Sequence, residues 1–277
     1  MPPPSVIRRN PPSAVVYDLS VPHQVTITLP AGSTWTSGLH WHETHTEYLR
    51  LVNGRIRLRL GDAVQTVSAS PGGSFPSPPP PPPEEIRVDR GVWHEWSRAA
   101  PSEKKPRSAG EEVAAEDEED EEEEEEEVVV VERTEPADGD KSVFFWSLNG
   151  VILEAEAEAA ARALRTTATG RLAGVWAGLR TTLSLWAIFD ALDNFPVLLG
   201  VRDAGRRRRL VERGSRGDAW LTWWETRWSH AVLTIAVVLV CAAGEHAVRP
   251  RFTPAEEYAA WVLRKQRANN TAAPGRT

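Results

Sequence analysis

Hydrophobic and polar positions alternate along the first third of the chain. Val25, Ile27 and Leu29 alternate with polar neighbours, and Leu49 and Leu51 alternate with Tyr48 and Arg50. Ile56, Leu58 and Leu60 then alternate with Arg55, Arg57 and Arg59. A period of two gives each stretch one apolar and one polar face, which predicts β-strands within residues 14–100. Asn53-Gly54 separates two such runs and predicts a type I′ hairpin, because both residues tolerate positive φ. Strand character returns at Val128–Val131 and at Val143–Trp146. Many short strands without intervening helices predict a mainly β fold, an antiparallel sandwich or barrel.

Near residue 153 the period changes. Glu154–Leu164 is rich in Ala and Glu with no breaker, and Leu172–Leu199 and Trp220–Ala243 are largely apolar. Pro254–Gln266 predicts a final amphipathic helix, with Thr253 as its N-cap and Glu256 and Glu257 in its first turn. Residues 14–150 are therefore expected to form one β unit and residues 151–277 a helical region. Residues 1–13, with five prolines between positions 2 and 12, are expected to be a disordered N-terminus.

Charge alters this picture. The 277 residues carry a net charge of -7, but Glu111–Glu127 holds 14 of the 39 acidic residues and no basic one. The remainder has 25 acidic against 32 basic residues, a net +7. Residues 101–127 thus predict a solvated, self-repelling loop, and the proline run at 76–83 a polyproline II loop. Both read as insertions inside the β unit, because strand character resumes after them. A single cysteine, Cys241, excludes a disulfide framework and a cysteine zinc cluster. The arginine row at 50, 55, 57 and 59 lacks interleaved aromatics, so no nucleic-acid partner is expected.

Four of the seven histidines lie at 40, 42, 45 and 94. On a strand, His40 and His42 project to one side. Glu47 falls on the apolar face with Leu49 and Leu51, where a carboxylate is costly unless paired or bound to a cation. A metal accounts for all three, and His94, after the turn Asp89-Arg90-Gly91, offers a fourth ligand. Imidazole and carboxylate together suit a divalent transition metal such as Mn, Fe, Ni, Zn or Cu. Four protein ligands leave positions open for water, dioxygen or substrate on a six-coordinate ion. His45 has the other parity and reads as a surface residue. Trp96 and Arg98 share the parity of His94. Trp96 is then a pocket wall or core, and Arg98 an anchor for a carboxylate or phenolate, or a rim salt bridge. Trp41 and Trp93 have the opposite parity and should pack outside. No Ser-His-Asp or phosphate-loop pattern occurs, and no catalytic acid or base is assigned.

These residues resemble the cupin superfamily. Its first motif, His-x-His, four residues, Glu, six residues, Gly, is met at His40, His42, Glu47 and Gly54 with every spacing kept. Its second motif is met at Gly91 and His94, while Asp89 replaces a proline and Arg98 an asparagine. A glycine of the first motif is replaced by Thr34. Over residues 14–150 the resemblance implies an antiparallel jelly-roll β-barrel with His40, His42, Glu47 and His94 as metal ligands. It implies a small-molecule ligand but no particular reaction, because fold does not fix function.

The C-terminal region adds a membrane question. Trp228–Gly244 is 17 residues without Asp, Glu, Lys or Arg, at the short end of what spans a bilayer (about 17–25 residues). Trp220, Trp223, Trp224 and Trp228 would form an interfacial belt. With Arg206–Arg209 upstream, a span places the barrel on the cytosolic side, and Asn269-Asn270-Thr271 becomes a lumenal glycosylation sequon. Leu183–Leu199 is a poorer span, with Asp190 and Asp193 inside it. The alternative is a cytoplasmic protein whose helical hairpin packs on the barrel or on a partner subunit, as in a homodimer. The N-terminus has no apolar run, so secretion is not expected.

Three functions follow. The first is a metal-dependent enzyme of oxygenase or decarboxylase type acting on a small organic molecule. The second is a non-catalytic module tethered to a membrane. The third is an assembly protein whose acidic loop recruits a basic partner.

Overall fold

The computed structural model describes residues 3–69, 85–100, 126–163, 169–200 and 216–272. The proline run at 76–83, most of the 101–127 acidic segment and Arg206–Arg209 lie outside the described residues.

Eleven strands occur among them: β1 (Val6–Arg9), β2 (Val15–Asp18), β3 (Gln24–Leu29), β4 (His40–Trp41), β5 (Thr46–Asn53), β6 (Arg55–Leu60), β7 (Ala63–Ser68), β8 (Ile86–Val88), β9 (His94–Arg98), β10 (Val128–Glu135) and β11 (Phe195–Pro196). They form two antiparallel sheets, ordered β1-β2-β3-β10-β5-β8 and β11-β4-β9-β6-β7. The inward rows Val25/Ile27/Leu29, Leu49/Leu51, Ile56/Leu58 and Val128/Val130 meet in one core. Alternation along each strand puts these residues inside, as the period of two requires. The ladders do not close into the expected barrel. β1 and β8 are the edges of one sheet, and β11 and β7 the edges of the other.

Three expectations are corrected. Asn53-Gly54 is not a hairpin turn, because β5 pairs with β10 and β8 while β6 pairs with β7 and β9. The chain crosses there from one sheet to the other. Gly54 has φ 80°, and a Cβ on it would lie 2.8 Å from the Glu127 carbonyl oxygen. The glycine therefore serves the close passage of the β10 entry. The real hairpin of this region joins β6 to β7 through Gly61-Asp62. Residues 6–9, expected to be disordered, form β1 against β2 with Ile7 buried.

The third correction concerns Val143–Trp146, which is helical. It lies in α1 (Asp140–Ala163), the first of four α-helices among the described residues, with α2 (Thr169–Ala191), α3 (Arg216–Ala242) and α4 (Ala255–Ala272) following. Asp138 Oδ1 accepts the Asp140 N–H at 3.0 Å at the start of α1, and the Ala/Glu-rich run beyond carries the helix onward. The β preference of Val-Phe-Phe-Trp is overridden by burial, since Val143, Phe144, Phe145 and Trp146 join the sheet core. Strand thus gives way to helix at about residue 140 rather than 153.

α2 and α3 pack antiparallel. Arg180 on α2 donates to Glu245 just beyond α3 at 2.8 Å, and the Leu199 N–H donates to Glu225 at 2.6 Å. Glu225, Ser229, Leu233, Ala236 and Val240 form the buried stripe of α3 at helical spacing. Trp220, Trp223, Trp224, Trp228, Ile235 and Val238 are exposed.

Candidate metal centre

β4 and β9 pair at His40 and His94, and β5 contributes Glu47 from the facing sheet. His40, His42, Glu47 and His94 each present a donor atom, all within 4.8 Å of one another. The ring centroids of His40 and His94 are 4.1 Å apart, and those of His42 and His94 5.3 Å. Each histidine places Nδ1 against a backbone carbonyl: His40 on Gly38 at 2.7 Å, His94 on Val92 at 2.9 Å, and His42 on Asp193. A carbonyl oxygen only accepts, so each Nδ1 carries the proton and each Nε2 a lone pair. Metal-ligating imidazoles are oriented in this way.

Glu47 is 2% exposed. Its Oε2 lies 2.8 Å from His94 Nε2, yet that nitrogen has no hydrogen-bond partner, and neither has His42 Nε2. With the proton on Nδ1, two lone pairs face each other at hydrogen-bond distance. A cation between them, a metal ion or a proton on Nε2, relieves that contact, and the donor set fits a divalent transition metal. Burial, then the neighbouring imidazoles, lower His40 well below the usual histidine range. Burial lowers His42 to about 4, against the pull of Glu47. Both rings are therefore neutral near neutral pH. Burial pushes the Glu47 carboxyl up, but Lys141, with His94 and His42, overcomes it and holds the group well below the usual carboxylate range.

Lys141, on the first turn of α1, contacts Glu47 Oε1 and lies 2.7 Å from Glu132 Oε2. Glu132 also accepts from Trp96 Nε1 at 2.7 Å. Burial raises the Glu132 carboxyl against the opposing charge of Lys141. Trp96 is 1% exposed and packs on Trp35 with centroids 4.8 Å apart. It backs Glu132 and does not line the cavity. Arg98 does not line it either: its guanidinium donates to the carbonyls of Leu29 and Pro30 at 2.7 Å. Arg98 is a strand clamp, not a pocket anchor.

His45, expected at the surface, is buried between Asp193 Oδ2 at 2.7 Å and Asp138 Oδ1 at 3.3 Å. Parity misleads here because residues 42–45 turn between β4 and β5. Asp193 organises that turn. Its carboxylate accepts the N–H groups of Glu43, Thr44 and His45 at 2.8, 2.9 and 3.0 Å, while its carbonyl orients His42. It adopts φ 54°, in the left-handed region that Asp tolerates better than most residues. Trp41 and Trp93 stack outside the sheet with Phe195, under α3.

These side chains open into a cavity of about 320 Å³, small but within the range of ligand pockets. His40, His42 and Glu47 line it, whereas His94 closes the back. Phe144, Phe145, Leu148 and Ile152 reach it from the Lys141 side of α1, and Tyr17, Trp35 and Arg9 from elsewhere.

No protein-family model and no curated protein matches the chain. Among solved structures, it resembles the capsular polysaccharide assembling protein CapF of Staphylococcus aureus at 14% identity and TM-score 0.28. That match covers 47% of this chain and 30% of CapF. An uncharacterised protein of Klebsiella pneumoniae with a double-stranded beta-helix domain matches at 12% identity and TM-score 0.26, covering 48% of this chain and 74% of that one. A "predicted oxalate decarboxylase" of Thermotoga maritima matches at 13% identity and TM-score 0.27, covering 48% and 91%.

Glu132, Lys141 and Asp193 were not singled out from the sequence as site residues. Parity from Val128 and Val130 leads to Glu132 once β10 is extended beyond Val131. Lys141 becomes visible only when Val143–Trp146 is read as helix, since Lys141, Phe145 and Leu148 then share a face. Asp193 has a single local signal, a charge within an apolar run.

Proposed function

We propose that this chain is a metal-binding protein of cupin type, and that it is a metal-dependent enzyme acting on a small organic molecule, of oxygenase or decarboxylase type. One observation carries the metal reading: the lone pair of His94 Nε2 faces Glu47 Oε2 at 2.8 Å inside a buried site. A divalent ion held by His40, His42, Glu47 and His94 supplies Lewis-acid polarisation and open coordination positions. The chain's own residues support the chemistry around it. Lys141 pairs with two buried carboxylates, Glu47 and Glu132, and aromatic side chains line the cavity. The two facing sheets are taken as the halves of a jelly roll whose mouth is covered by α1.

Metal analysis of the purified chain tests the reading. About one Mn, Fe, Ni or Zn ion per chain is expected, and His94→Ala should lose it. A wild type that retains no transition metal after reconstitution would falsify the assignment.

A second reading, a non-catalytic module held to a membrane through its C-terminal helices, is favoured by a different observation. Leu172–Ala191 and Ala219–Ala242 are each long and apolar enough to cross a bilayer, and the tryptophan-rich face of α3 is exposed. Binding of the purified chain to lipid vesicles, with no turnover of any small molecule by the metal-loaded form, would favour it.

A further inference from the structure

We infer that the cavity takes a small organic anion whose acidic group docks on Arg9 and whose body lies along the aromatic wall beside the metal ligands. This rests on the metal reading and adds a substrate class to it.

The charges around the cavity lead there. His45 is engaged by Asp138 and Asp193, and Asp140 is paired with Lys265 at 2.6 Å. Lys141 lies between Glu47 and Glu132, a group of one positive and two negative charges. Arg9 is the remaining charged group of the lining. Its Nε is buried with no hydrogen-bond partner, and among the described residues the guanidinium has no carboxylate within ion-pair distance. The nearby polar group is the Tyr17 hydroxyl, a neutral phenol because burial raises it to about 12.

Arg9 balances the Lys141 group, while His45 carries one positive charge against the two carboxylates of Asp138 and Asp193, so the groups named sum to -1 without a metal. A divalent ion brings that sum to +1. Uncompensated charge in an enclosed, aromatic-walled space is costly. A bound anion removes that cost, and a guanidinium whose Nε–H lacks a partner is suited to a carboxylate. The wall between the two ends is apolar: Tyr17 and Phe145 lie 4.9 Å apart, and Phe144 and Phe189 stack at 5.9 Å. A ligand with one acidic end and a flat apolar body fits that sequence of surfaces.

The test uses the full chain loaded with Zn²⁺ or Mn²⁺ and two matched probe pairs, phenylacetate against phenylacetamide and benzoate against benzamide, titrated by calorimetry. At least one carboxylate is expected to bind about tenfold or more tightly than its amide. Arg9→Gln should abolish that preference without altering metal content, whereas Arg9→Lys should keep part of it. Equal binding of acid and amide, binding of neither, or an undiminished preference in Arg9→Gln overturns the inference. Metal content, read separately on the same samples, distinguishes the failures. A loaded wild type that ignores the carboxylate sinks the anion reading alone, and a wild type that takes up no metal sinks both.

Discussion

Lys141 rests on Glu47, 94 residues earlier in the chain. The ammonium of α1 occupies Oε1 of the same carboxylate whose Oε2 faces His94. A metal held as proposed would therefore compete with the ammonium for one carboxylate. In Lys141→Met, metal affinity should rise about tenfold, because the ion no longer displaces a cation from Glu47. The metal-free variant should be destabilised by about 3–5 kcal/mol, the usual result of removing one partner from a buried ion group. Metal titration and denaturant unfolding of both forms check this. Unchanged affinity would mean that Lys141 stays on Glu47 in the loaded protein.

Asp193 should act on the metal without touching it. Its carbonyl fixes the tautomer of His42, and its carboxylate caps the 43–45 turn. Asp193→Asn keeps a side chain that tolerates positive φ but weakens the cap. Loss of outer-shell partners typically costs 10–100-fold in metal affinity, so a loss of about tenfold or more is expected. Because Asp193 follows α2, the same variant should loosen the helical hairpin, measurable as faster amide exchange in α2. A variant with native affinity and faster exchange would reduce Asp193 to a structural joint.

Stability should fall on the alkaline side through His45. Burial lowers this imidazole, but hydrogen bonds and charge from Asp138 and Asp193 overcome that and raise it to about 9 from 6.5. A raised folded value means that the stabilisation is fully present below pH 6.5 and is lost as pH rises through 9. The melting temperature should decline over that window, and His45→Gln should flatten the decline. On the acid side, Asp138 is lowered from 3.8 to about 2: burial raises it, but His45, the Asp140 N–H and Lys265 prevail. Its contribution holds above pH 3.8 and is lost as pH falls through 2. A melting profile in His45→Gln identical to wild type across both windows would contradict the coupling.

The sequence made the cluster of His40, His42, Glu47 and His94 legible because each is set by strand parity or by a fixed interval after a turn. His40, Glu47 and His94 need only a period of two and a glycine turn to be brought together. The path between the sheets was not legible. Asn53-Gly54 has the local signal of a hairpin, yet the partner of β5 is β10, 74 or more residues later, and no local rule shows that competition. Lys141 was hidden by a similar effect. Val-Phe-Phe-Trp has strand propensity, but burial against two sheets stabilises any backbone that hides it, and the helix continuing beyond decided the matter.

The membrane question turns on Glu43 and His230. His230 lies near the middle of Ala219–Ala242 and is 2.8 Å from Glu43 on the metal-site turn, while Ser229 donates to the Pro196 carbonyl at 2.9 Å. A helix docked along its centre on a sheet cannot at the same time have that centre in the hydrocarbon of a bilayer, where polar groups must be satisfied by protein or a water-filled cavity. If the docked arrangement persists, any membrane contact is made by the exposed tryptophan face lying on the surface. The full chain should then co-sediment with lipid vesicles yet be released by alkaline carbonate. Replacing Trp220 and Trp224 by alanine should leave it in the supernatant from the start. Resistance to carbonate would instead mean that α3 has left Glu43 and Pro196 to span the bilayer. Since the Asp193 cap ties the same hairpin to His42, such a chain should also bind metal more weakly in membranes than in detergent-free solution.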